Sequence, residues 1–248
     1  MAPCETGRMQ VIAVIPARLA STRLPRKMLR EIAGVPLLAW VYQGVRRCPS
    51  LDQVVVATDS DEIMGFCEQQ GFAVKMTSAS HRSGTERVHE ISTTIPADVY
   101  LNIQGDEPLT RPEHIESLIA VMRGAGVEVG TLKTVAADTD VDNPSAVKVV
   151  TDTAGRALYF SRATIPHDRD RVGSRYYKHL GFYGYRKAAL DRFVGWPESS
   201  LERSERLEQL RFLENGVPIY VAETPYDSIG VDTEEDVRRV EEILRSRR

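Results

Sequence analysis

Between positions 18 and 27 the chain carries Arg18, Arg23, Arg26 and Lys27, with Ala20 and Ser21 among them and no acidic side chain. Cations packed this densely repel one another unless an anion joins them. Small residues between guanidinium and ammonium groups let phosphate oxygens reach both the charges and the main chain. A triphosphate is the anion this pattern suits, held by Arg18, Ser21, Arg23 and Lys27, with Pro16 and Ala17 beside the bound nucleotide. The plainer reading is a solvated basic turn.

A second chemical group lies at Gln104-Gly105-Asp106-Glu107-Pro108. A carboxylate facing a triphosphate is either repelled or bridged by a divalent cation. Mg²⁺ takes one or two carboxylates plus phosphate oxygens, which would make Asp106 a metal ligand. Against this, Asp-Glu-Pro is also an ordinary turn sequence.

These residues need a frame that brings them together. Val11 to Ile15 is an apolar run of strand length, and Pro16 ends its ladder because it has no N–H to donate. A strand that empties into a basic loop at its C-terminal end is where open α/β sheets bind anions. QVVVAT (53–58), FAVKM (72–76) and DVYLNI (98–103) read as further strands. Helical spacing covers Leu37 to Val45, Ser60 to Gln70, Arg111 to Arg123, Leu201 to Leu213 and Glu234 to Arg245. Asp59 and Glu62 have capping-box spacing, and so have Asp232 with Glu235 and Thr233 with Asp236. This alternation predicts right-handed βαβ units: an α/β fold with a mostly parallel twisted sheet flanked by helices, Rossmann-like. Val129–Val135, Lys148–Thr151, Ala157–Phe160, Tyr176–Arg186 and Pro218–Ala222 complete the strands. The polar stretch between Ser161 and Arg175 reads as a mobile surface loop.

Composition narrows the classes. With 248 residues, 42% hydrophobic and 27% charged, the chain is that of a soluble globular protein with one large domain, here residues 9–248. A net charge of −3 argues against general nucleic-acid binding. No apolar run approaches the ~18 residues of a membrane span, and no hydrophobic signal region precedes the first strand. Residues 1–8 read as a disordered extension. Cys4, Cys48 and Cys67 are odd in number and lack paired spacing, as expected of reduced thiols in a cytoplasmic protein. The histidines show no zinc spacing, and the GxxxxGK[ST], GxGxxG and GxSxG motifs are absent.

The segment IPARLASTRLPRK resembles the N-terminal signature of the 3-deoxy-manno-octulosonate (Kdo) cytidylyltransferases, which usually read IPAR, a variable residue, then ASTRLPGK. NIQGDEP, KHLGFYGYR, LEQLR and GVDTEED are similar to further segments of that family, so the likeness runs from Met9 to the end. It implies a nucleotidyltransferase that moves CMP from CTP to the anomeric hydroxyl of Kdo, giving CMP-Kdo and pyrophosphate for lipopolysaccharide synthesis, with Mg²⁺. On this resemblance Arg18 and Lys27 neutralise charge, Asp106 and Asp232 hold the metal, and Arg82, Ser83, Gly84 and Gln104 meet the cytosine side. His179, Tyr183, Glu208 and Gln209 orient the sugar, with Arg162 a candidate for its carboxylate. Another acid sugar, 8-amino-Kdo or sialic acid, is the alternative, although the sialic-acid enzymes read IPARGGSKG at the first loop. A non-catalytic nucleotide-binding regulator is the other, and the pair Asp106 and Asp232 argues against it. The aromatic run Tyr176–Tyr185 suggests a β-rich insert at about 156–200 that extends the sheet and carries homodimer contacts. Arg26 stands where the family has Gly; a negative φ is expected there, with the added cation stiffening the loop.

Overall fold

A computed structural model describes residues 8–19 and 24–246. Ser21, Arg23 and nearly all of the expected N-terminal extension lie outside the described residues. β1 (Val11–Ala17) is buried along its whole length. Val11, Ala13, Ile15 and Ala17 enter one apolar layer while Ile12 and Val14 enter the opposite one, the alternation that strand geometry imposes. A short 3₁₀ turn (Lys27–Leu29) and a small hairpin of β2 (Glu31–Ile32) and β3 (Val35–Pro36) lead into α1 (Leu37–Arg46). Then come β4 (Gln53–Thr58), α2 (Asp61–Gln69), β5 (Val74–Met76), α3 (Gly84–Thr94), β6 (Val99–Asn102) and α4 (Pro112–Met122). The second half holds β7 (Val129–Val135), α5 (Asp138–Val141), β8 (Lys148–Thr151), β9 (Ala157–Ser161) and β10 (Tyr177–Tyr185). It closes with α6 (Lys187–Gly195), α7 (Ser200–Glu205), α8 (Leu210–Glu214), β11 (Ile219–Glu223) and α9 (Glu234–Ser246).

The main sheet runs β11-β7-β10-β6-β1-β4-β5. Strands β6, β1, β4 and β5 run parallel to one another, as alternating strands and helices require. Helices α1, α2 and α4 cover one face; α3, α6 and α8 cover the other. Every loop leaving the C-terminal ends of β1 and β6 therefore opens on one crevice, the usual ligand position of such sheets.

Four sequence expectations change. Tyr176–Arg186 is no sheet extension: β10 runs antiparallel between β6 and β7, in the middle of the sheet. Phe182 enters one apolar layer and Tyr183 and Tyr185 the other, so these rings are buried by the chain's own core and do not by themselves call for a partner. Helix α2 is capped by Ser60, whose hydroxyl accepts from the Ile63 N–H, and the Asp59 carboxylate instead accepts from Arg87. The helix expected from Leu201 to Leu213 breaks at Arg206, which is left-handed with φ 55°. A buried bidentate pair, Arg211 with Glu202, ties α7 to α8, and the break leaves Glu208 and Gln209 in the corner between them.

Arg26 is the fourth. Its φ is 54°, in the left-handed region, and its carbonyl accepts the Leu29 N–H of the 3₁₀ turn. This turn drives Lys27 inward while the Arg26 guanidinium pairs with Glu62 at the surface. Left-handed geometry costs an L-residue about 1–2 kcal/mol, and an exposed ion pair returns only about 0.2–1 kcal/mol. The family's Gly is the unstrained choice here. Arg26→Gly should therefore raise the melting temperature by about 2–4 °C; a calorimetric scan showing a lower melting point would contradict the strain.

Candidate active site

The turn after β1 delivers Lys27, which is only 8% exposed. Its Nζ donates to Asp106 Oδ2 at 2.6 Å and to Asp232 Oδ1 at 2.9 Å. Burial opposes the ammonium charge, but Asp106 and then Asp232 outweigh it and raise the Lys27 pKa. Gly105 places Asp106 by close approach and not by an unusual φ: a Cβ there would lie 2.9 Å from the Pro16 carbonyl oxygen. Asp232 is spared from capping α9, because Thr233 and Asp236 form the capping box in both directions. The Val231 N–H donates to the Asp106 carbonyl at 2.9 Å and locks the two carboxylate-bearing loops together.

A cation already sits where both carboxylates converge, so the donor set fits a hard divalent ion. Among the described residues no group of three or more His, Cys, Asp or Glu side chains could hold a metal. Magnesium held by Asp106 and Asp232 would therefore draw its remaining oxygens from phosphate and water.

On the nucleotide side, Arg18 donates to the His81 carbonyl, and burial followed by the nearby Arg87 charge lowers its pKa. Ser83 caps α3 by accepting from the Glu86 N–H. Arg82 is spread along Glu86 with its backbone and guanidinium. Gly84 sits beside Pro16 and Asn102, which a Cβ there would meet at ordinary contact distances of 3.4 and 3.5 Å. Pro16 and Ala17 end β1 beside them.

A cavity of about 720 Å³ adjoins the carboxylates, and its wall includes Gln104, Asp106, His179, Tyr183, Glu208 and Gln209. Thr131 Oγ1 lies 2.7 Å from the Phe182 carbonyl and 3.0 Å from His179 Nε2. The hydroxyl has one hydrogen and gives it to the carbonyl, so His179 Nε2 carries the ring proton and Nδ1 is left as acceptor. Enclosure pushes His179 down to about 3. Tyr183 stacks on Tyr185 at 5.7 Å, and burial raises its phenol well above the ordinary range. Arg162 also lines the cavity, but its guanidinium donates to the carbonyls of Glu205, Pro144 and Arg206. It props the cavity wall before it can serve any ligand.

Sequence reasoning passed over two buried groups. Glu107 bonds Ser228 and is raised to about 7 by burial and then by Asp106. Asn102 is fully buried with both amide atoms unpartnered, beside Gly84. Its place at the head of NIQGDEP, on a strand's C-terminal end, was the available signal.

A parallel sheet, a basic turn after its first strand and two converging carboxylates beside a large cavity define a nucleotide-transferring class. The cytidylyltransferase family model matches residues 12–223. The 3-deoxy-manno-octulosonate cytidylyltransferase of Koribacter versatilis is 67% identical over 98% of this chain and 93% of its own length. That of Acidobacterium capsulatum is 55% identical, over 97% and 98% respectively. A solved CMP:2-keto-3-deoxy-manno-octonic acid synthetase complexed with CTP superposes with a TM-score of 0.92 at 38% identity, covering 96% of this chain and all of that one. The chain belongs to the 3-deoxy-manno-octulosonate cytidylyltransferases.

An ordinary imidazole gains its proton near pH 6.5. Because the folded pKa of His179 is depressed to about 3, its contribution to stability is intact above pH ~6.5 and is lost as pH falls below that. The His179 Cε1–H resonance should stay at its neutral position from about pH 8 to about pH 5. A midpoint above about pH 6 would contradict the enclosure.

Proposed function

We propose that this protein transfers CMP from CTP to the anomeric hydroxyl of Kdo and releases pyrophosphate, supplying activated sugar for lipopolysaccharide synthesis. The observation that carries this reading is Lys27 held between Asp106 and Asp232, both of which line the cavity. The anomeric oxygen attacks the α-phosphorus, the bond to the bridging oxygen breaks, and pyrophosphate leaves in line. Arg18 and Lys27, joined by Arg23 and Ser21, bind the triphosphate and neutralise the charge that grows on the leaving group. Lys27 exchanges its carboxylate partners for phosphate oxygens when CTP arrives. Asp106 and Asp232 would hold Mg²⁺, which when bound screens the phosphates and eases ionisation of the attacking hydroxyl.

Pro16, Ala17, Ser83, Gly84 and Gln104 frame the base, with Arg82 at the edge. His179, Tyr183, Glu208 and Gln209 orient the sugar, with the carboxylate directed to the Arg162 side of the cavity. Fixing both substrates converts an encounter into a positioned reaction, which is the larger part of such catalysis. The reading includes a cytoplasmic homodimer that binds neither nucleic acid nor membrane. Cys48 and Cys67 are buried free thiols, and among the described residues no helix is long and apolar enough to cross a membrane. Leu158 in β9 and Val172 in the loop before β10, exposed at 62% and 80%, are apolar side chains that a two-fold contact would cover.

Pyrophosphate release should require both CTP and Kdo. ATP and GTP should be rejected by at least about 100-fold in kcat/KM, because a wrong base leaves buried polar groups unpaired. Asp106→Asn and Asp232→Asn should each lower turnover by about 100-fold or more in a folded protein; near-native turnover in either removes that residue from the metal site. Light scattering at micromolar protein should give twice the 27.7 kDa chain mass, and a monomeric mass would exclude the dimer.

A further inference from the structure

Thr85, the second residue of α3, is fully buried. Its hydroxyl donates to Glu208 Oε1 at 2.7 Å, across 123 residues of sequence. A hydroxyl has a single hydrogen, and this one is committed to the carboxylate. Any bond across the 3.4 Å contact between Thr85 Oγ1 and the Tyr185 phenol then has Tyr185 as donor, and Asn102 lies in reach of the same phenol. Thr85 and Glu208 form a directed pair that ends on a carboxylate in the cavity wall. The other carboxylate oxygen, Oε2, is buried and has no hydrogen-bond partner. A buried acceptor without a donor is the exception in folded proteins and calls for a reason.

The seat of Thr85 is itself fixed. Ser83 caps the helix, and Gly84 brings the first turn of α3 against Pro16 and Asn102. Glu208 follows the left-handed break at Arg206 and has no helix of its own to hold it. The Thr85 hydroxyl fixes Oε1 of Glu208 at 2.7 Å, and the Ser83 hydroxyl, which caps the same helix, is the second hydroxyl beside that carboxylate.

We propose that Thr85 is a positioning residue for the sugar. Its hydroxyl holds Glu208 Oε1 so that Oε2 accepts from a sugar hydroxyl, and it ties the helix end on the base side to the sugar wall. This rests on the reading of Glu208 as a sugar contact. A Thr85→Val variant keeps the shape and removes the donor, leaving Glu208 free to turn. Thr85→Ser keeps the donor.

The test is steady-state kinetics on Thr85→Val, Thr85→Ser, Glu208→Ala and the Thr85→Val/Glu208→Ala double variant, with melting curves for each. Thr85→Val should raise KM for Kdo by about tenfold or more and leave KM for CTP within about twofold. Thr85→Ser should stay within about threefold of the parent in both. In the Glu208→Ala background Thr85→Val should add nothing, because the contact it serves is gone. If Glu208→Ala raises KM for Kdo and Thr85→Val does not, the positioning role is overturned while the reading of Glu208 stands. If Glu208→Ala leaves KM for Kdo unchanged, that underlying reading is overturned as well. Equal rises in both KM values, or effects that add in the double variant, mark Thr85 as a packing residue and overturn the proposal. Thr85→Ala, judged by the same split, replaces Thr85→Val if valine is not accommodated.

Discussion

Lys27 brings an ammonium group into a nearly closed seat and meets there two carboxylates, one 79 and one 205 residues away in sequence. Asp106 follows β6, the parallel neighbour of β1, and Asp232 is tied to the same loop through the Val231 N–H and the Asp106 carbonyl. Remove the cation, and Asp106 and Asp232 are left facing each other, partly shielded from water, with mutual repulsion to relieve. In the proposed reaction the same three groups would let triphosphate and metal share one place. A lysine that can trade carboxylate for phosphate gives up the carboxylates to a harder cation without leaving any charge unpaired.

Around that contact the fold spends its rigid parts on placement. Gly105 allows the acidic loop to lie on the Pro16 carbonyl, and Val231 bonds the Asp106 carbonyl, so main chain sets the distance between the carboxylates. The capping box of α9 uses Thr233 and Asp236, which leaves Asp232 out of helix capping. On the other wall, the buried Glu202–Arg211 pair fixes two short helices around the corner that presents Glu208 and Gln209. A bidentate pair of this kind adds geometry more reliably than it adds stability.

The cavity is polar in composition, yet its ring systems are kept neutral. His179 and Tyr183 are enclosed enough that neither carries charge near neutrality, which suits groups that orient hydroxyls by hydrogen bonds. Lys148, fully buried, spends its ammonium on the carbonyls of Asn143, Ala146 and Arg162 and so supports three residues of the cavity wall.

Much of this was legible in the chain alone. The apolar run at Val11, the alternation of strands with helices and the basic turn followed from local chemistry, because burial of β1 and repulsion among cations act on neighbouring residues. Family likeness named Asp232, Glu208 and Gln209, which composition and spacing left as a cap and as solvated helix positions. Other features depended on partners far along the chain. The insertion of β10 between β6 and β7 is a strand-pairing choice, and an alternating aromatic run fits an edge or a centre equally well until both neighbours are known. The left-handed turn at Arg26 arises because the chain must reverse to send Lys27 inward, a demand set by Asp106 and Asp232 and invisible in the local sequence. The break at Arg206 likewise follows from the Glu202–Arg211 pair and from Leu207, Leu210 and Phe212 entering the core. Local propensity decides which segments form helix or strand; where the chain bends against that propensity, distant contacts decide, since only they exceed the local cost.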